Sequence, residues 1–278
     1  MIKIALWITA TAIGIVTLLA LLTFAYFWRS PDYFQATAAA ASESKIIAQS
    51  EYSDNHPNPY IYRSGAVVVF GAEHTKDPND PQIVRIDQQW RDLRPTAALV
   101  EGRLGFLAPR LMDPVKKYGE SGHVFDLATR DGIKTYTWEM PQDQLTLALA
   151  ERHSKERVAT FLVLRPYFSN LRYGKPASPE EFVQEYLDRA ADPTVEGAVG
   201  SVADIDRIWL REFPNGPDWR DVSDEHGLPG YLKTISDDSN DLRNRHLVRA
   251  VLELTGKGER LFVVAGSSHA VLIEPALQ

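Results

Sequence analysis

The sequence predicts an α/β protein with a mostly parallel central sheet covered by helices, preceded by one N-terminal transmembrane helix. Three observations carry this reading. Short β-branched runs without polar alternation recur along the chain, as strands buried on both faces require. Stretches with helical periodicity separate them, and a repeated strand, helix, strand order gives a parallel sheet. An uncharged run over residues 4–28 precedes all of this.

That run is bracketed by Lys3 and Arg29. At a rise of about 1.5 Å per residue it would cross a hydrocarbon core of about 30 Å. A secretory signal peptide is the alternative, with Ala36-Thr37-Ala38 as its cleavage site. Its apolar core would be only about 7–15 residues, so the longer run reads as a retained anchor. The chain is thus expected to be a single-pass membrane protein held through residues 4–28. The bias between Lys3 and Arg29 is slight, and the soluble domain is expected on the extracytoplasmic side. Residues 1–29 form the anchor, 30–64 a polar tether with the His56-Pro57-Asn58-Pro59 turn cluster, and 65–278 the α/β domain.

Within that domain the first strand covers 66–70 and stops at Gly71. A helix over 81–93 leads to a strand at 97–100, and a helical stretch after Gly122 leads to a third at 133–138. The middle is helical, over 145–165, 179–191 with Ser178 as N-cap, and 201–213. A turn-rich segment with Pro214, Gly216, Pro217, Gly227, Pro229 and Gly230 follows. A last helix over 241–255 passes through Gly256 and Gly258 into a strand at 260–265. Asp237, Asp238 and Asp241 read as a solvated lead-in to that helix.

Composition narrows the function. A hydrophobic content of 44% is enough for a sizeable core, and a formal net charge of -7 argues against a nucleic-acid partner, which would need a basic face. The chain has no cysteine, which excludes disulfides, thiolate zinc sites, iron–sulfur clusters and a cysteine nucleophile.

In open parallel sheets ligands bind beyond the carboxyl ends of the strands. There the first strand ends in Gly71-Ala72-Glu73-His74, the second in Glu101-Gly102 and the last in Gly266-Ser267-Ser268-His269. His74, His269 and Glu101 are the ligand types of an open catalytic metal site, although isolated histidines after strands also serve as hydrogen-bonded structural groups. Glu73 and Glu139 border the same rim. Glu120 sits between Gly119 and Gly122 in a helix-starting turn. Arg243 falls on the apolar stripe of the last helix with Leu247, Ala250, Val251 and Leu254, so it needs a carboxylate, backbone oxygens or a bound anion. His56, His123, His153, His226 and His246 read as structural or surface groups. Neither HExxH, GxSxG, Walker A nor GxGxxG occurs, so Ser267 and Ser268 lack the setting of a nucleophile.

The paired G-x-x-H motifs at Gly71 to His74 and Gly266 to His269, with Glu101 and Arg243 between them, resemble the TraB/PrgY/Tiki group. More broadly they are similar to the superfamily of erythromycin esterase and the haem-binding ChaN proteins. The likeness covers most of 67–277, including Leu99-Val100-Glu101-Gly102, Arg243-Asn244-Arg245-His246 and 263–269. It implies that the two histidines and the glutamate belong to an active site, and that Arg243 stabilises an anion or transition state. Tiki members are metal-dependent, membrane-tethered proteases. Asn244 stands where esterase-type relatives often carry aspartate, and Glu73 beside His74 follows the ChaN and esterase style, so substrate class does not transfer.

The expectation is a membrane-anchored hydrolase of peptide or small ester bonds. A divalent metal ion held by His74 and His269 with Glu101 would lower the pKa of a bound water, with Arg243 on the oxyanion and Glu73 and Glu139 close by. A metal-free version uses His74 or Glu101 as general base. The non-enzymatic alternatives are a haem- or iron-binding protein and a structural module that works through partner binding.

Overall fold

The computed structural model describes residues 2–28, 30–37, 39–108 and 111–278, without the side chains of residues 2–12, 26 and 226. The flanking Arg29, the cleavage-site Ala38, the side chains of the first part of the expected anchor and that of His226 lie outside the described residues. A six-stranded sheet forms in the order β1-β5-β4-β6-β3-β2. Its strands are β1 (Asp32–Tyr33), β2 (Tyr60–Ser64), β3 (Val67–Ala72), β4 (Ala97–Val100), β5 (Lys134–Thr137) and β6 (Leu261–Gly266). Only β2 runs antiparallel to its neighbour β3; the other pairings are parallel.

The helices are α1 (Ile2–Phe27), α2 (Pro81–Leu93), α3 (Pro114–Asp131), α4 (Gln142–Ala150), α5 (Lys155–Asn170), α6 (Pro179–Gln184), α7 (Val202–Glu212), α8 (Tyr231–Gly256) and α9 (Ser267–Leu277). The chain divides into two compact units. One comprises 1–46, 53–139 and 246–278, the other 47–52 and 140–245.

The first unit holds the sheet. Every residue of β3, β4 and β6 is buried, and their side chains alternate between two faces. Val67, Val69, Leu99, Leu261 and Val263 pack with Leu247 and Val251 of α8 and Ala270 and Ile273 of α9. Val68, Phe70, Ala98, Phe262 and Val264 pack with Ile86 and Trp90 of α2 and Val124 of α3. Burying a side chain of this kind is worth roughly 1.5–3 kcal/mol, which fixes the strands centrally. The second unit is helical. Its core joins Phe161, Leu162, Phe168, Ile208, Trp209 and Trp219 with Leu232 and Ile235 of α8.

Among the described residues no helix is long and apolar enough to cross a membrane. This overturns the transmembrane anchor expected over 4–28, and with it the single-pass membrane localisation. Helix α1 runs from Ile2 to Phe27. Its last turn also packs within its own unit. The ring of Phe24 stacks on Phe106 at 5.5 Å, Phe27 meets the same ring edge-on at 6.0 Å, and Leu107 N–H donates to the Phe27 carbonyl at 3.0 Å.

Residues 30–64, read as a tether, supply β1 and β2 to the sheet, and 65–278 is shared between both units. The long helix read over 145–165 is two, α4 and α5, with Ser154 as N-cap of the second. The helix read over 241–255 is α8 and starts at Tyr231, so the acidic run at 237–241 lies inside it.

Candidate functional site at the sheet rim

The carboxyl ends of β3, β4 and β6 lie side by side, because β6 pairs with both of the others. Ala72 is opposite Gly266, and Leu99 is opposite Val263. The chain therefore leaves the sheet three times at one rim, carrying Glu73-His74, Glu101 and Ser267-Ser268-His269. The last three residues open α9, a helix not expected from sequence, so His269 occupies a first helical turn.

His74 and His269 meet around Gly266. A Cβ built on that glycine would lie 3.2 Å from His74 Nε2 and 3.7 Å from His269 Cδ2. Any side chain there would press on His74, so the absence of a side chain lets both rings approach the same turn. The Gly266 N–H donates to Glu101 Oε2 at 3.0 Å, and Ser267 Oγ donates to Glu73 Oε1 at 3.1 Å. The expected His74, His269, Glu101 and Glu73 are thus all on one short arc of backbone.

His269 is 5% exposed and meets the Trp138 ring edge-on, 5.1 Å between centroids. Trp138 is itself fixed: its Nε1–H donates to the Val264 carbonyl at 3.0 Å, and its own carbonyl lies 2.8 Å from His246 Nδ1. Glu139 follows it at the end of β5, with its N–H donating to Thr137 Oγ1 at 3.2 Å. His74 is the accessible member, with a side chain 32% exposed.

One carboxylate was not among the expected site residues. Glu120 Oε1 lies 2.6 Å from His74 Nδ1, and its Oε2 accepts from Thr75 N–H at 3.3 Å. Glu120 lies beyond a kink in α3. Tyr118 and Gly119 leave helical geometry there, and Gly119 adopts φ 61 and ψ -151. The Gly119-Glu120-Ser121-Gly122 spacing carries the only signal of this kink, since glycines inside a helical pattern mark bends and close approaches. The partner of Glu120, 46 residues earlier in the chain, had no local signature.

Arg243 belongs to the second unit, where it is 1% exposed and its Nη1 donates to Asn240 Oδ1 at 2.9 Å. Of the other histidines, His123 pairs with Asp87 at 2.8 Å and His153 with Asp238 at 2.7 Å.

Two of the expected metal ligands have polar atoms turned to protein groups, His74 Nδ1 to Glu120 and Glu101 Oε2 to Gly266. Among the described residues no group of three or more histidine, aspartate or glutamate side chains is placed to hold a metal ion. The expectation of a metal-binding protein is corrected accordingly. Comparison of the chain with family models, curated proteins and solved structures finds no match in any of the three.

Proposed function

We propose that this protein is a hydrolase of carboxylic ester or amide bonds in which His74 acts as general base on water. The observation that carries the reading is the approach of His74 and His269 to Gly266 at a strand-end rim, with His74 a third exposed. The likeness of the G-x-x-H pair to the TraB/PrgY/Tiki group supports the same choice of residues.

The step balances within the site. His74 takes a proton from water while the water oxygen adds to the substrate carbonyl carbon, whose π electrons move onto its oxygen. The tetrahedral species collapses by breaking the bond to the alcohol or amine, which leaves with the proton returned by the His74 imidazolium. Glu101 holds the Gly266 turn through the N–H it accepts, keeping the floor beneath both rings. Its charge also favours the imidazolium as it forms. The buried His269, edge-on to Trp138, gives the rim a fixed side.

A panel of chromogenic short-chain esters and peptide anilides tests this. The full chain is expected to turn over at least one of them, and His74→Gln to lower kcat/KM by about 10²–10⁴-fold, the usual worth of a general base. Equal turnover by both proteins would overturn the reading. So would an absorbance band on haem addition with no hydrolysis of any substrate, the outcome expected of a haem or iron carrier.

A further inference from the structure

We infer that Glu120 is a positioning residue for His74, fixing the imidazole as the Nδ1–H tautomer so that Nε2 is the basic nitrogen on the rim. This rests on the general-base reading above and deepens it. Glu120 is 5% exposed, and a buried carboxylate is tolerated where its oxygens accept hydrogen bonds. Here the two oxygens face two donors of one turn, the Thr75 N–H at 3.3 Å and His74 Nδ1 at 2.6 Å. A carboxylate only accepts, so a neutral His74 paired with it must carry its proton on Nδ1. Nε2, 3.2 Å from the Cβ position of Gly266, is then the lone-pair nitrogen. An imidazole without such a partner exchanges between tautomers, and one of them would present an N–H where the base is needed.

The placement is made by the fold. The kink at Gly119 brings α3 against the loop after β3, so closely that a Cβ on Gly119 would stand 2.8 Å from the Thr75 carbonyl oxygen. The same contact that demands glycine carries Glu120 under His74. The carboxylate would also stabilise the imidazolium formed when the ring takes a proton from water.

The test is the nitrogen NMR spectrum of the His74 ring in the full chain, at a pH where the ring is neutral, without substrate. In the native protein Nδ1 is expected as the protonated nitrogen and Nε2 as the unprotonated one. In Glu120→Gln one of the two oxygens is replaced by an NH2 donor, so the side chain no longer offers an acceptor at both positions, and in Glu120→Ala neither acceptor remains. Both variants, checked for a native-like amide spectrum, should show tautomer averaging or the reversed tautomer. Their kcat should fall about 10²-fold with KM changed much less. A native ring protonated on Nε2, or the same tautomer in native protein and both folded variants, would overturn the inference. If no substrate is hydrolysed but the tautomer shifts as expected, the hydrolase reading fails and the role of Glu120 in orienting His74 stands.

Discussion

At the scale of single residues, the site depends on one missing side chain and two pairings. Gly266 ends β6, and both rings approach the place where its Cβ would be. Gly266→Ala would set a methyl 3.2 Å from His74 Nε2, forcing a displacement of a few tenths of an ångström. Because the His74 side chain is partly exposed, it has room to yield, and the stability cost should be about 1 kcal/mol. The rate should suffer more, by tenfold or greater, since misplacement of a reacting group is costly. Denaturant unfolding and steady-state kinetics on the same variant separate the two, and an unchanged rate would show that His74 is not held by this contact. The residues of this arc were legible in the sequence because each follows a strand and neighbours a glycine. The pairing of Glu120 with His74 was not, because a hydrogen bond between a kinked helix and a distant loop leaves no periodic trace. Arg243 was legible as a buried charge on an apolar stripe, but the stripe gave no information about its partner; the structure shows one of its contacts, Asn240.

At the scale of elements, α9 ties the rim to the edge of the sheet. Tyr60 of β2 donates its hydroxyl to Glu274 of α9. That hydrogen bond, with burial and the carboxylate charge adding to it, raises the Tyr60 pKa from 10.0 to about 12. The folded value lies above the unfolded one, so the stability from this contact is complete below pH 10 and is lost as pH rises through about 12. Glu274→Gln should return the phenol towards its ordinary range, read as phenolate absorbance during alkaline titration of the folded protein. An unaltered titration would mean that the contact is not made in solution. The strands β3, β4 and β6 were readable to within two residues, since burial on both faces selects unbroken apolar runs; β5, only partly buried, was placed as closely. The strands β1 and β2 were not. Asp32–Tyr33 has only two residues, and Tyr60–Ser64 is an edge strand whose sequence is mixed because part of it faces outward. Helix α9 escaped because its first turn coincides with the G-x-x-H motif, and Pro275 lies within its last turn.

At the scale of the whole molecule, the chain builds two units with separate cores, and the proposed chemistry lies wholly in the unit that holds the sheet. His74 and His269 come from different segments of that unit, 53–139 and 246–278, and the sheet order, with β6 between β3 and β4, is what joins them. The apolar run at the start of the chain suggested a membrane span from composition alone. What composition could not show is that its last turn packs on Phe106. In the proposed reaction the imidazole at position 74, held in the folded chain, supplies the base. This is measured by chemical rescue: hydrolysis by the His74→Gly protein as a function of added imidazole, with the native protein alongside. The variant should be inactive alone, imidazole should restore turnover in a saturable manner, and the native rate should be unaffected. A His74→Gly protein that hydrolyses substrate as fast as the native one without imidazole would contradict it.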